Sequence, residues 1–360
     1  LDVRRIMTST PRTLADVSAD WLSSVLDAPV DTVTLDPIAA GEGFMGQLAR
    51  ATITSPSVAS GELPATMIIK LPTADPGGQF MGEMMRVWER EHLFYRDLAP
   101  LMNVRVPRVY VNIADPPCLV MEDLAPAKPG DHVAGATVEQ ADRSIDVIAR
   151  HHAHWFEHPM LPELTWMPGL DDPQMQTIGP TFELGWPIFL ERYADKLPAR
   201  CLSWCEQFIA DVETWIGGHA EEPITITHGD FRLDNLFFPT DGEVALIDWQ
   251  LAMRAPGQTD LVYFCANNLT TEMRRQHEGR LIQRYVDGMH AAGVPTDALS
   301  VDGVRRGYLE GLVFYAATFG AGLLSIDPAN ERGAALFDAL VMRTFAAVED
   351  LDAGTVIGLQ

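Results

Sequence analysis

The segment Thr227 to Gln250, T-H-G-D-F-R-L-D-N-L-F-F-P-T-D-G-E-V-A-L-I-D-W-Q, constrains this chain more than any other. Short β-like runs flank a polar loop, and the turn Asp241-Gly242 separates that loop from the run Val244 to Ile247. A hairpin there carries Asp248 back beside Asn235. Asp230, five positions before Asn235, places a second carboxylate in the same loop. The fold must therefore bring three oxygen-bearing side chains to one place.

Phosphoryl transfer to an alcohol requires little more. One carboxylate orients the hydroxyl and accepts its proton, and oxygen ligands hold Mg²⁺ on the nucleotide phosphates. Asp230 suits the first task, and Asn235 with Asp248 the second. The pattern resembles the catalytic loop and metal-binding aspartate of protein kinases. It is more similar to the aminoglycoside phosphotransferase and choline-kinase-like superfamily, where the loop reads H-G-D-x-x-x-x-N and the later strand ends in I-D-W. Glu122-Asp123-Leu124 and Gly257 to Leu261 (G-x-x-D-L) add a likeness to the ecdysteroid-kinase-like and phosphotransferase-enzyme branches. The resemblance runs from about Trp21 to about residue 320. A lone H-G-D is an ordinary polar turn; the full spacing is specific.

The resemblance implies a bilobal α+β fold, with an antiparallel sheet and a helix in the N-terminal lobe and a mainly helical C-terminal lobe. It implies ATP or GTP with Mg²⁺ as cofactors, Asp230 as catalytic base, and Asn235 and Asp248 as metal ligands. His228 and Asp260 become supports of the loop. Arg232 is left between anchoring the loop and contacting phosphate. The backbone of Glu122 and Leu124 is expected to meet the adenine edge.

The N-terminal part tests this independently. Lys70 ends the apolar run Met67-Ile68-Ile69, an awkward place for a charge unless a phosphate or carboxylate meets it. Gln79 to Leu101 reads as one long helix whose inward stripe is Met84, Trp88, Glu91, Tyr95 and Leu98. A carboxylate facing a core needs a cation, and Lys70 fits. Periodicity favours Glu91 over its neighbour Glu89. Gly41-Glu42-Gly43-Phe44-Met45-Gly46 precedes the first strand of the hairpin Leu48 to Thr54 and Thr66 to Leu71, and Gly43 and Gly46 would let backbone N–H groups approach phosphate.

Elsewhere, Ser18 to Leu26 reads as a short amphipathic helix, Arg108 to Asn112 and Cys118 to Met121 as strands, and Val138 to Phe156 as a helix. The composition turns Pro- and Gly-rich after Leu124, so lobes of 1–123 and 124–360 are expected. His154 and His158 are i,i+4 on their helix, but no carboxylate or cysteine completes a zinc set. No G-x-S-x-G elbow supports a hydrolase.

With 50 acidic against 26 basic residues, a net charge of -24 repels phosphate backbones, so nucleic acid and anionic membranes are not expected partners. The four cysteines show no paired spacing, and the start carries no signal-like apolar stretch, so a cytoplasmic protein is expected. The expected partner is a small-molecule hydroxyl. Two rivals are a catalytically inactive nucleotide-binding module and a kinase with a protein acceptor. The first would lack one of Lys70, Asp230, Asn235 or Asp248; the second would show a longer segment after Asp248. Kinases acting on an aminoglycoside or a choline-like amine remain within the resemblance. Specificity should lie in Leu161 to Arg200 and near Tyr308 to Phe319, where the aromatic density favours a mostly apolar alcohol. The acids Glu163, Asp171, Asp172, Glu183, Glu191 and Asp195 argue the other way.

Overall fold

The computed structural model describes residues 9–38, 46–170, 172–173, 175, 178–219, 222–323 and 331–360. The chain forms two compact units. Unit 1 is Leu1–Leu101 with Val106–Pro126, and unit 2 is Met102–Arg105 with Ala127–Gln360.

Unit 1 is a five-stranded antiparallel sheet with helices. In chain order it contains α1 (Ala19–Leu26), β1 (Thr32–Ile38), β2 (Gly46–Thr54), α2 (Pro56–Ala59), β3 (Thr66–Pro72), α3 (Pro76–Met84), α4 (Val87–Leu93), β4 (Val109–Ala114) and β5 (Pro117–Glu122). The strand order is β1-β2-β3-β5-β4. Ser18 caps α1 by accepting the Trp21 N–H. Period-two alternation puts Met67, Ile69 and Leu71 on one face of β3, where they pack with Trp21, Leu22, Ala51, Ile53 and Val120. Lys70 falls on the opposite face.

The expected helix over Gln79 to Leu101 is broken. α3 ends at Met84, and Arg86 takes a left-handed conformation at φ 54° before α4 begins. α4 then passes into a five-residue π-helical stretch, Phe94–Leu98. A tertiary contact accounts for the break. A Cβ on Gly82 would lie 2.6 Å from the Trp88 ring, so the indole folds back onto that glycine. Residues six apart on one straight helix are about 240° apart and could not touch. The inward stripe accordingly starts at Val87, which is buried, and Met84 is exposed.

β1 is an element the sequence reading did not anticipate. It pairs with β2 along its whole length, from Thr32 opposite Thr54 to Ile38 opposite Leu48.

Unit 2 is mostly helical. Its elements are β6 (Lys128–Pro129), α5 (Val138–Trp155), α6 (Ile178–Tyr193), α7 (Ala199–Ala210), α8 (Val212–His219), β7 (Thr225–Thr227), β8 (Leu236–Phe238), β9 (Ala245–Leu246), β10 (Met253–Ala255), α9 (Gln258–Asn268), α10 (Thr271–Ala291), α11 (Val301–Leu323), α12 (Glu331–Asp350) and α13 (Ala353–Val356). Thr137 and Gln140 close a capping box at the start of α5. β6, β8 and β9 form one small sheet, and β7 and β10 a second. β9 is shorter than the run Val244 to Ile247. Its pairing with β8, Leu236 opposite Leu246, is the hairpin that sets Ile247 and Asp248 beside Asn235.

Candidate active site

In unit 1, Lys70 and Glu91 meet. Lys70 Nζ lies 2.8 Å from Glu91 Oε1 and 2.7 Å from Oε2. Lys70 is 8% exposed and Glu91 2%, so each charge is removed from water and depends on the other. Glu89 faces solvent and pairs with Arg86, whose hydrogen bonds hold its carboxyl below the usual range. Gly46 opens β2 against this pair. A Cβ there would lie 3.3 Å from the Leu71 carbonyl and 3.6 Å from Lys70 Cε. Gly43 lies outside the described residues.

At the end of β5, the Glu122 N–H donates to the Arg108 carbonyl at 2.8 Å, and its carboxylate accepts the Arg108 N–H at 2.9 Å. A ligand bond from the Glu122 backbone would therefore fall to its carbonyl. Leu124 is half-buried. Between them, Asp123 accepts from Arg50 at 2.7 and 3.2 Å and from the Ala125 N–H at 3.1 Å. Burial works to raise the Asp123 carboxyl, but Arg50 and the other donors outweigh it and hold it low.

In unit 2, the loop after β7 turns at Gly229, φ 79°, where a Cβ would stand 2.1 Å from the Leu251 carbonyl. Only glycine fits there. His228 is buried. Its Nε2 donates to the Ile247 carbonyl at 2.9 Å and its Nδ1 accepts the Asp230 N–H at 3.3 Å, which assigns the tautomer. Asp260, fully buried in the first turn of α9, accepts the N–H of His228 at 2.6 Å and of Gly229 at 3.0 Å. It also meets His152 Nε2 at 3.2 Å, and the other ring nitrogen of His152 faces the Tyr285 hydroxyl at 2.9 Å. At the far end of α9, Asn268 accepts the Leu233 N–H at 2.7 Å and donates to the Phe231 carbonyl at 3.3 Å. One helix thus grips the loop at both ends.

Asp230 stands between these grips, held on both oxygens. The Asn235 amide donates to its backbone carbonyl at 2.9 Å and to Oδ2 at 3.0 Å. The Tyr263 hydroxyl donates to Oδ1 at 3.1 Å. Burial, then the facing Asp230 carboxylate, push the Tyr263 phenol well above its usual range, so it remains a donor. Arg232 Nε lies 3.1 Å from Asp230 Oδ2, but its N–H is not aimed at that oxygen. The contact is Coulombic rather than a directed hydrogen bond. Asp230 foremost, against the cost of burial, raises the guanidinium still further, with Tyr263, Asp234 and Asp248 adding to it. Asp248 sits at φ 64°, a left-handed conformation that non-glycine residues adopt at some cost and that recurs at functional positions. The Ile247 N–H donates to the Asn235 carbonyl at 3.1 Å.

The description of the phosphotransferase enzyme family matches residues 85–295, more than half of the chain. The chain belongs to this family. A mouse protein, acyl-CoA dehydrogenase family member 10, is 34% identical over an alignment of 89 residues, with 21% of this chain and 8% of that protein covered. The chain therefore spans only a small part of the relative it matches. Among solved structures, an ethanolamine kinase from Plasmodium vivax is 13% identical, with 94% of this chain and 91% of that one covered, at a TM-score of 0.54. A spectinomycin phosphotransferase solved with ADP and spectinomycin is 15% identical, with 91% and 96% covered, at a TM-score of 0.52. At these identities the likeness is one of fold.

In this family member Asn235 and Asp248 would form an oxygen-only donor set if a divalent cation bound here. Because the Asn235 amide nitrogen is turned to Asp230, its planar oxygen points the other way, and Asp248 follows directly on the strand bonded to Asn235. An amide oxygen with a carboxylate suits Mg²⁺, a hard cation with oxygen ligands. Two histidines of α5 support this region: His151 bonds the Ile226 carbonyl at 2.8 Å, and His152 belongs to the Asp260 network, while His158 lies beyond the end of α5. The sequence reading did not find Tyr263, Asn268 or His152 as partners of the loop, nor the Arg50–Asp123 pair. Each joins positions at least thirty residues apart, and no local spacing announces them.

Proposed function

We propose that the chain transfers the terminal phosphoryl group of ATP or GTP to a hydroxyl of a small molecule. The observation that carries this reading is the arrangement around Asp230. Its carboxylate accepts hydrogen bonds from Asn235 and Tyr263, keeps Arg232 as a Coulombic neighbour at 3.1 Å, and stays partly exposed. Asp230 accepts the acceptor's hydroxyl proton as the oxygen–phosphorus bond forms. The bond from phosphorus to the bridging oxygen breaks, and a nucleoside diphosphate leaves.

Lys70 contacts the α- and β-phosphates, and Glu91 holds Lys70 in place. Gly46, at the start of β2, and Gly43, which lies outside the described residues, contact the phosphates through backbone N–H groups. The Glu122 carbonyl and the Leu124 N–H take the adenine edge. A bound Mg²⁺, held through Asn235 and Asp248, supplies neutralisation of phosphate charge. Arg232 holds the loop carboxylates Asp230 and Asp234 together, since it lies 3.1 and 3.8 Å from them. On this reading residues 1–123 form the nucleotide-binding lobe and 124–360 the catalytic lobe.

No helix among the described residues is long and apolar enough to cross a membrane. All four cysteines are buried free thiols, in keeping with a reducing, cytoplasmic setting. A coupled assay of nucleoside diphosphate release, run with ATP or GTP, Mg²⁺ and a panel of alcohols, tests the reading. Release that depends on both an alcohol and Mg²⁺ is expected. No release with any alcohol, together with no stabilisation by Mg-nucleotide, would refute it.

A further inference from the structure

The aromatic residues of unit 2 fall into two groups. Trp186, Phe189, Tyr193 and Phe345 stack on one another and are buried; they are core. Tyr308 is core as well, with its hydroxyl on Glu278 at 2.6 Å. The second group begins at Asp230. Tyr263 on α9 meets Tyr315 on α11 at 5.1 Å between centroids, and Tyr315 meets Phe314 at 5.5 Å. Phe314 stacks on Trp215 of α8 at 5.0 Å and 17°. Phe182 and Phe208 back this line and are buried, whereas Tyr263, Tyr315, Phe314 and Trp215 are half-buried residues. The row therefore has a buried backing and a less buried front, and its first residue is hydrogen-bonded to Asp230.

We propose that Tyr263 is a positioning residue for Asp230 and also the first ring of an acceptor wall continued by Tyr315, Phe314 and Trp215. The acceptor is then an uncharged alcohol with an apolar, ring-bearing body. This rests on the phosphotransferase reading above. A hydroxyl presented to Asp230 brings its carbon skeleton against the adjoining rings, and burial of apolar area there favours a carbon-rich body. Aromatic faces also attract cations. A polycationic acceptor, however, needs carboxylates converging on the same wall. Glu163, Glu183, Glu191 and Asp195 are instead exposed, with their charges in water; Asp172 is half-buried, and Asp171 lies outside the described residues.

The test uses the full chain with Mg²⁺ and ATP or GTP. Nucleoside diphosphate release is compared for 2-phenylethanol and cyclohexylethanol, for choline, and for kanamycin. The neutral ring alcohols are expected to give kcat/KM at least about tenfold above choline and kanamycin, the order that burial of one ring edge supplies. Phe314→Ala and Trp215→Ala should raise KM for the ring alcohols about tenfold, with kcat little changed. Tyr263→Phe, which keeps the ring and loses the hydroxyl, should lower kcat with KM nearly unchanged. A preference for choline or kanamycin in the unmodified chain would overturn the acceptor class and leave the phosphotransferase reading standing. Loss of KM selectivity in neither wall variant would overturn the wall. Absence of release with every alcohol, without stabilisation by Mg-nucleotide, would remove the reading on which both rest.

Discussion

The side-chain amide of Asn235 donates to both the backbone carbonyl and the carboxylate of Asp230, at 2.9 and 3.0 Å. The two residues are one unit, and substitutions at Asp230 and at Asp248, which the hairpin sets beside them, should expose separate roles. Asp230→Asn should reduce turnover by about two to four orders of magnitude, the usual worth of a general base, while Mg-nucleotide binding persists. Asp248→Asn should weaken Mg-nucleotide binding as well as turnover. Single-turnover rates alongside thermal-shift titrations, with and without EDTA, separate the two. Near-normal turnover in Asp230→Asn would remove Asp230 from the chemistry.

The buried pair Lys70–Glu91 predicts strong non-additivity. Removing one partner leaves the other charged and dry, at a cost of about 3–5 kcal/mol. Lys70→Met with Glu91→Leu should therefore lose much less stability than the sum of the single changes. A double-mutant cycle by urea unfolding measures this. Additive losses would mean that the pair is not formed in solution.

Gly229 and Gly61 make a matched comparison, since their φ angles are 79° and 80°. Nothing lies within 4 Å of a Cβ on Gly61, so Gly61→Ala should cost only the left-handed strain, about 1–2 kcal/mol. Gly229→Ala adds an overlap with the Leu251 carbonyl and should lower the melting temperature distinctly more. Equal shifts in a thermal scan would refute the steric argument.

His132 predicts a pH dependence. Its ring is 1% exposed, and burial, followed by Arg232 and Arg343, lowers its pKa to about 3. Asp131 and Asp234 act in the opposite sense or lie nearby, the latter at 4.0 Å, without reversing the shift. Between about 3 and the ordinary value near 6.5, the unfolded chain binds the proton and the folded chain does not. Stability should therefore fall as pH drops through that window and be fully present above it. His132→Leu should flatten this part of the curve in urea unfolding at pH 4, 5, 6 and 7. An unchanged slope would locate the acid sensitivity elsewhere.

The residues around the loop were legible because their chemistry is local. Asp230 and Asn235 are five apart, and a turn of two residues returns Asp248 to them. The Lys70–Glu91 pair could be read from two periodicities, a strand's and a helix's, each ending on a charge with no business in a core. What escaped was encoded at a distance. The break at Arg86 has neither proline nor glycine to mark it and follows from the seating of Trp88 on Gly82. β1 is a largely exposed edge strand with Asp36 and Pro37 inside it, so its alternation is faint and its pairing comes from β2. Tyr263 looks like any helix tyrosine until α9 is laid beside the loop.

That placement of α9 carries a kinetic meaning. The amide protons of His228, Gly229 and Leu233 make no bond of a helix or strand ladder, yet each is bonded to a side chain of α9. Their exchange with solvent deuterium should track the detachment of that helix rather than the fraying of a loop. The loop around Asp230 would then be among the slowest stretches of the chain to exchange.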